Sequence, residues 1–158
     1  MNSNSKDSIT LSANIPTNAV WLGGLGVLPF AAASITASLM PLQIANYGKL
    51  ALLAYGTVIL SFLGGVLWGR ILAFGTVEEF SKQTRSLILS VVPSLIGWIA
   101  VLSGPEFGLP MLAAAFVLIL FIDLLAVKNR LYPAWYPKLR IPLTCTVFLL
   151  LLFPIVLA

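Results

Sequence analysis

Histidine is absent from this 158-residue chain, cysteine occurs once, and acidic residues number only five. Without imidazole, histidine-ligated zinc, histidine-ligated haem and Ser-His-Asp chemistry are all excluded within one chain. The lone Cys145 lies in an apolar run, which rules out an intrachain disulfide or a CxxC metal or redox pair. The five carboxylates are Asp7, Glu78, Glu79, Glu106 and Asp123, and no two are spaced as a working pair on one helix. No glycine-rich loop follows a strand pattern, so a phosphate cradle is not expected. The sequence therefore predicts a protein that is not an enzyme, with no cofactor and no metal.

Charge as a whole is scarce. Charged residues make up 9% of the chain and hydrophobic ones 59%, whereas a soluble domain carries roughly 25% charge. No charge falls between Asp7 and Lys49, between Lys49 and Arg70, between Arg85 and Glu106, or after Arg140, and the stretch from Glu106 to Asp123 is similarly apolar. A membrane-crossing helix needs about 20 apolar residues, because the hydrocarbon core is roughly 30 Å thick and each residue rises 1.5 Å. These intervals predict an all-α membrane protein with five transmembrane helices at about 19–40, 50–74, 85–103, 109–127 and 141–158. They form a single domain, 15–158, behind a polar and disordered tail, 1–14. Pro41, the run Asn46-Tyr47-Gly48-Lys49 and the turn Ser103-Gly104-Pro105-Glu106 supply the breaks. Pro110 and Pro142 read as first-turn prolines. An apolar run that continues past Ala31-Ala32-Ala33 to Met40 argues for a retained helix rather than a cleaved signal.

Five crossings place the N-terminus and the 75–84 and 128–140 loops on one side. That side holds Lys6, Arg70, Lys82, Arg85, Lys128, Arg130, Lys138 and Arg140, against Lys49 alone on the other. Basic residues collect on cytoplasmic loops, so the N-terminus is expected to be cytoplasmic and the C-terminus outside. The membrane would be the bacterial inner membrane, or, as an alternative, the mitochondrial inner membrane with the N-terminus in the matrix. The same logic removes nucleic acid as a reason for the net charge of +4.

Within the helices, Ser61, Gly65 and Gly69 recur every four residues, a small-residue stripe suited to close helix packing in lipid. Packing inside the bundle, homodimerisation and the close approach of a cofactor all fit it. Pro29 and Pro93 should kink their helices, either as structural features or as the broken helices of a transport site. Asp123 is the one acid inside a predicted span, where an unpaired charge is costly. Arg70 is the expected ion-pair partner, with Lys128 and Arg130 also in reach. Between the last two helices, Lys128, Arg130, Tyr132, Trp135, Tyr136, Lys138 and Arg140 interleave cations with aromatics. This reads as an interfacial loop contacting lipid, anionic headgroups included, on the cytoplasmic face. Glu78 and Glu79 beside Lys82 and Arg85 read as a solvated loop.

The run from Tyr55 through Ser61-Phe62-Leu63-Gly64-Gly65-Val66-Leu67-Trp68-Gly69 carries a family likeness, as does Trp135-Tyr136 with Leu139-Arg140-Ile141-Pro142-Leu143-Thr144. Both resemble an uncharacterised family of five-helix integral membrane proteins, from bacteria and mitochondria, that includes transmembrane protein 69. The resemblance implies location and topology and lends no activity. Two functional expectations follow from the residues. The first is a non-enzymatic accessory, assembly or stabilising component that acts through helix packing on a membrane-protein partner or a second copy. The alternative is a small transporter or channel subunit with a polar site near Asp123.

Overall fold

A computed structural model of the chain describes residues 14–74, 84–128 and 132–157. The polar tail before Asn14, the stretch holding Glu78, Glu79 and Lys82, and Arg130 lie outside the described residues. The described chain forms five helices: α1 (Thr17–Leu39), α2 (Leu42–Phe74), α3 (Thr84–Leu102), α4 (Gly104–Lys128) and α5 (Tyr136–Val156). Four helical stretches, Thr17–Leu39, Leu42–Arg70, Gly104–Lys128 and Tyr136–Val156, are long and apolar enough to cross a membrane, while Leu87–Leu102 is apolar but shorter.

The helix ends have local causes. Pro41 disfavours a helical backbone at the residue before it, and Met40 is extended at φ −94° and ψ 160°. The Pro41 carbonyl then accepts from the N–H groups of Ile44 and Ala45, which starts α2 at once. The second helix thus begins eight residues before the expected position 50, and Asn46-Tyr47-Gly48-Lys49 is helical rather than a break. Between α3 and α4 the chain reverses at Gly104, whose φ of 73° is a left-handed conformation open to glycine. Pro110 and Pro142 lie inside α4 and α5 rather than in their first turns.

Interhelical contacts give each helix its direction. Ser90 and Gly97 of α3 face Gly64 and Thr57 of α2, so the two run antiparallel. Gly48 of α2 lies under Ala33 and Ala37 of α1, and Tyr55 bonds Gly26, which is antiparallel again. On α5, Leu143 meets Gly23 and Leu150 accepts from Ser34, so α1 and α5 run parallel. The helices close a ring in chain order, with α5 back against α1, and α2 also touches α4 across the middle.

The inside of the ring is tight. Leu52, Leu60, Ala100, Leu112 and Leu151 are fully enclosed, and Phe30 stacks edge-on against Tyr55 and Phe116. The outside is apolar: Leu22, Phe62, Trp98, Phe107, Phe121 and Leu149 are all exposed. Among the described residues, Asp123, Arg140, Thr144, Ser34 and Ser90 are buried instead. A soluble fold would not present so much apolar surface; in lipid it is the expected exterior.

A helical proline frees the carbonyl four residues before it, and in a membrane a neighbouring side chain can re-satisfy it; here that is seen at Pro154. Pro154 frees the Leu150 carbonyl, and the Ser34 hydroxyl donates to it at 2.8 Å. Near Pro29, Tyr55 donates to the Gly26 carbonyl at 3.1 Å, one residue beyond the Leu25 carbonyl that the proline frees. Ser90 does not serve the carbonyl freed by Pro93; its hydroxyl donates to Leu87 instead.

Candidate functional site: a buried ion pair beside an apolar cavity

Asp123 lies near the end of α4 and Arg140 about one turn into α5, and the antiparallel course of these helices brings them face to face. The Arg140 Nε donates to Asp123 Oδ2 at 2.8 Å, with both side chains nine-tenths buried. This corrects the expected Arg70–Asp123 pair. Arg70 is elsewhere, its guanidinium carbon 5.8 Å from the centre of the Tyr132 ring, a cation–π distance. It also corrects the reading of Arg140 as a lipid-facing loop residue. The fifth helix begins at Tyr136, five residues before the expected 141, and that extra turn carries Arg140 into the protein.

Of the other loop residues, Lys128 and Lys138 are exposed, while Tyr132, Trp135 and Tyr136 are half-buried and pack on one another. Burial pushes the Tyr132 phenol above its usual pKa; Asp123 adds to the shift, and Arg70 and Arg140 oppose it.

The stripe of Ser61, Gly65 and Gly69 is not brought against another helix of the chain. Gly65 and Gly69 are exposed, and a Cβ added to either would meet open space. The close approaches use a different register of α2: Gly48 under the α1 backbone, Gly56 against Leu112 of α4, and Gly64 against the Ser90 carbonyl of α3. Eight residues rotate a helix by about 80°, so these three glycines face successive neighbours around the central helix.

On the other side of Arg140 is a cavity of about 500 Å³ between α1, α2 and α5, with Phe116 of α4 at its base. Its walls are apolar apart from the end where Arg140 and Thr144 lie one turn apart. Each of these two holds a buried polar atom with no hydrogen-bond partner, Arg140 Nη2 and Thr144 Oγ1. Leaving such a group unpaired costs about 1–3 kcal/mol. Thr144 is unlike its fellows: Thr36, Thr57 and Thr146 each return their hydroxyl to the carbonyl four residues earlier. Among the described residues, no three acidic or sulfur side chains gather as a metal site would require.

An apolar exterior, long apolar helices and a charge pair held inside define a multi-helix membrane protein. The chain belongs to the family described as protein of unknown function DUF3429, whose model matches residues 15–156. It is similar to transmembrane protein 69 of Xenopus tropicalis, 33% identical over 133 residues that cover 82% of this chain and 50% of that protein. It is also similar to transmembrane protein 69 of Mus musculus, 29% identical over 153 residues that cover 91% of this chain and 58% of that protein. The chain thus spans about half the length of the curated relatives it matches. No solved structure matches it.

Proposed function

We propose that this protein is a non-enzymatic accessory or stabilising component of an inner membrane, crossing it five times and acting by contact with a membrane-protein partner or a second copy. The observation that carries the reading is the division of α2. Its Gly48, Gly56 and Gly64 are used up within the chain, while Gly65 and Gly69 face outward with open space beyond them. Helices associate in lipid through close backbone approach, and that outward face is suited to it. Asp123 is neutralised by Arg140, which takes away the free intramembrane charge that motivated a transport reading. Purification in a mild detergent should recover a stoichiometric partner or a homo-oligomer. A strictly monomeric chain with nothing co-purifying would overturn the proposal.

Five crossings, with the N-terminus cytoplasmic (or in the matrix) in a bacterial or mitochondrial inner membrane, are supported by the sequence, which that topology divides into eight basic residues on one side and one on the other. The third crossing is supported by α3 running antiparallel beside α2 through the same depth, from Ser90 against Gly64 to Gly97 against Thr57. A reporter active only outside should work when fused after Ala158 and stay silent when inserted in the 128–140 loop. The reverse pattern would sink the topology.

A further inference from the structure

Arg70 is left over once the ion pair is assigned. Asp123 is held by Arg140, and Glu106 lies in the first turn of α4, at the other end of the bundle. Among the described residues Arg70 meets no carboxylate and donates no hydrogen bond. Its neighbour is the Tyr132 ring, with the guanidinium carbon over the ring at 5.8 Å from its centre. Contact with a ring face leaves the N–H fork of a guanidinium available. The ring is itself held, because Tyr132 packs on Tyr136 at 5.0 Å and Tyr136 on Trp135 at 5.9 Å. Arg70 is therefore braced by an aromatic platform, and it is half-buried rather than trailing in solvent.

Depth places this fork at the lipid phosphates. Arg70 follows the charge-free run from Leu50 to Gly69, whose length as a helix is about 30 Å, the thickness of the hydrocarbon core. Its backbone thus stands at the edge of the hydrocarbon, and its side chain reaches into the headgroup layer. Trp68, exposed two residues earlier, and the Tyr132–Tyr136 pair are the residue types that mark that layer. Lys128 adds a second cation, exposed at the end of α4 four residues before Tyr132.

The chemistry of the ligand follows from the fork and the charge. A planar guanidinium matches two oxygens of one phosphate, where an ammonium offers only a point charge. With Asp123 already taken, the local surplus is positive, which favours a headgroup that brings no cation of its own. This site differs from the loop-wide lipid contact expected from the sequence, because Arg70 comes from α2 and Arg140 is withdrawn inside.

We infer that Arg70, seated on Tyr132, binds the phosphodiester of one anionic bilayer lipid where the end of α2 meets the segment between α4 and α5.

The test titrates dioleoyl phosphatidylglycerol and dioleoyl phosphatidylcholine into the full chain in neutral detergent, followed by native mass spectrometry. One phosphatidylglycerol per chain should be held about tenfold more tightly than phosphatidylcholine, as charge-assisted hydrogen bonds imply. Arg70→Lys keeps the charge but loses the fork, and should remove most of that preference. Tyr132→Phe keeps the ring and should retain it, whereas Tyr132→Leu should lose it. Should Tyr132→Leu fail to fold, Arg70→Lys decides alone. Lys49→Gln removes a cation at the opposite end of α2 and should change nothing. Equal binding of the two lipids by the unaltered chain would overturn the inference. So would a preference that survives Arg70→Lys, one that falls as far in Lys49→Gln, or displacement of the lipid by excess inorganic phosphate.

Discussion

The two halves of this bundle are packed on opposite plans. At the end where α1 meets α2 and α3 meets α4, backbones touch: Gly48 lies under Ala33 and Ala37, and Gly108 against the Ala100 carbonyl. At the other end the helices stand apart around a cavity, and a charged pair rather than close packing joins α4 to α5. In lipid, moving an apolar side chain from the exterior to the interior gains little, because both surroundings are hydrocarbon. Cohesion then depends on how closely backbones approach and on which polar groups find one another. The tight half relies mainly on the first; the open half keeps one close approach, Gly64 against the Ser90 carbonyl, and relies on the second between α4 and α5.

The largest expected effect comes from breaking the open half's polar link. Arg140→Ala leaves the Asp123 carboxylate buried and unpaired, on a stem too short to reach water. Removing one partner of a buried pair typically costs about 3–5 kcal/mol. Asp123→Ala should cost less, because the longer arginine can snorkel toward the interface. The double variant should be less damaging than the two losses added. Repeating the cycle with Arg70 in place of Arg140 should give coupling to Asp123 within about 0.5 kcal/mol, since Arg70 rests on Tyr132 instead. Unfolding in mixed micelles measures all of these. Strong Arg70–Asp123 coupling would mean that the open half is held differently.

How much of this was legible in the sequence differs between the halves in the same way. The helices themselves were written in the spacing of charges, because a bilayer imposes one length scale on every crossing. Asp123 stood out as a buried acid for the same reason. Its partner did not, because the choice between Arg70 and Arg140 depends on which helices are neighbours and on where α5 begins. Tyr136, Pro137 and Lys138 read as interface when met in sequence, yet they form the first turn of α5. The glycines of α2 mislead for a related cause. Gly48 looks like a helix breaker and is helical, because the approach of α1 leaves no room for a Cβ there. Local propensity gave way to a tertiary contact. The regular spacing of Ser61, Gly65 and Gly69 suggests a packing stripe, yet Gly65 and Gly69 are turned away from the chain's other helices. The orphan atoms of Arg140 and Thr144 left no signal in the sequence at all.

Two glycine substitutions on the same helix should sharpen the contrast by moving stability in opposite directions. A Cβ at Gly48 would press on the backbone of Ala33 and Ala37, atoms that cannot rotate aside. Gly48→Ala should therefore force α1 and α2 apart and cost about 1–3 kcal/mol, as overpacking does. At Gly65 nothing lies within 4 Å of a Cβ. There the intrinsic preference of a helix for alanine over glycine is left unopposed. It is worth roughly 0.5–1 kcal/mol. Gly65→Ala should therefore leave the isolated chain slightly more stable in the same micelle assay. If Gly65→Ala also weakens association with a partner or a second copy while the monomer is stabilised, the outward face of α2 is an interface. If both substitutions destabilise the isolated chain, Gly65 is packed as closely as Gly48 and the two halves do not differ in the way described.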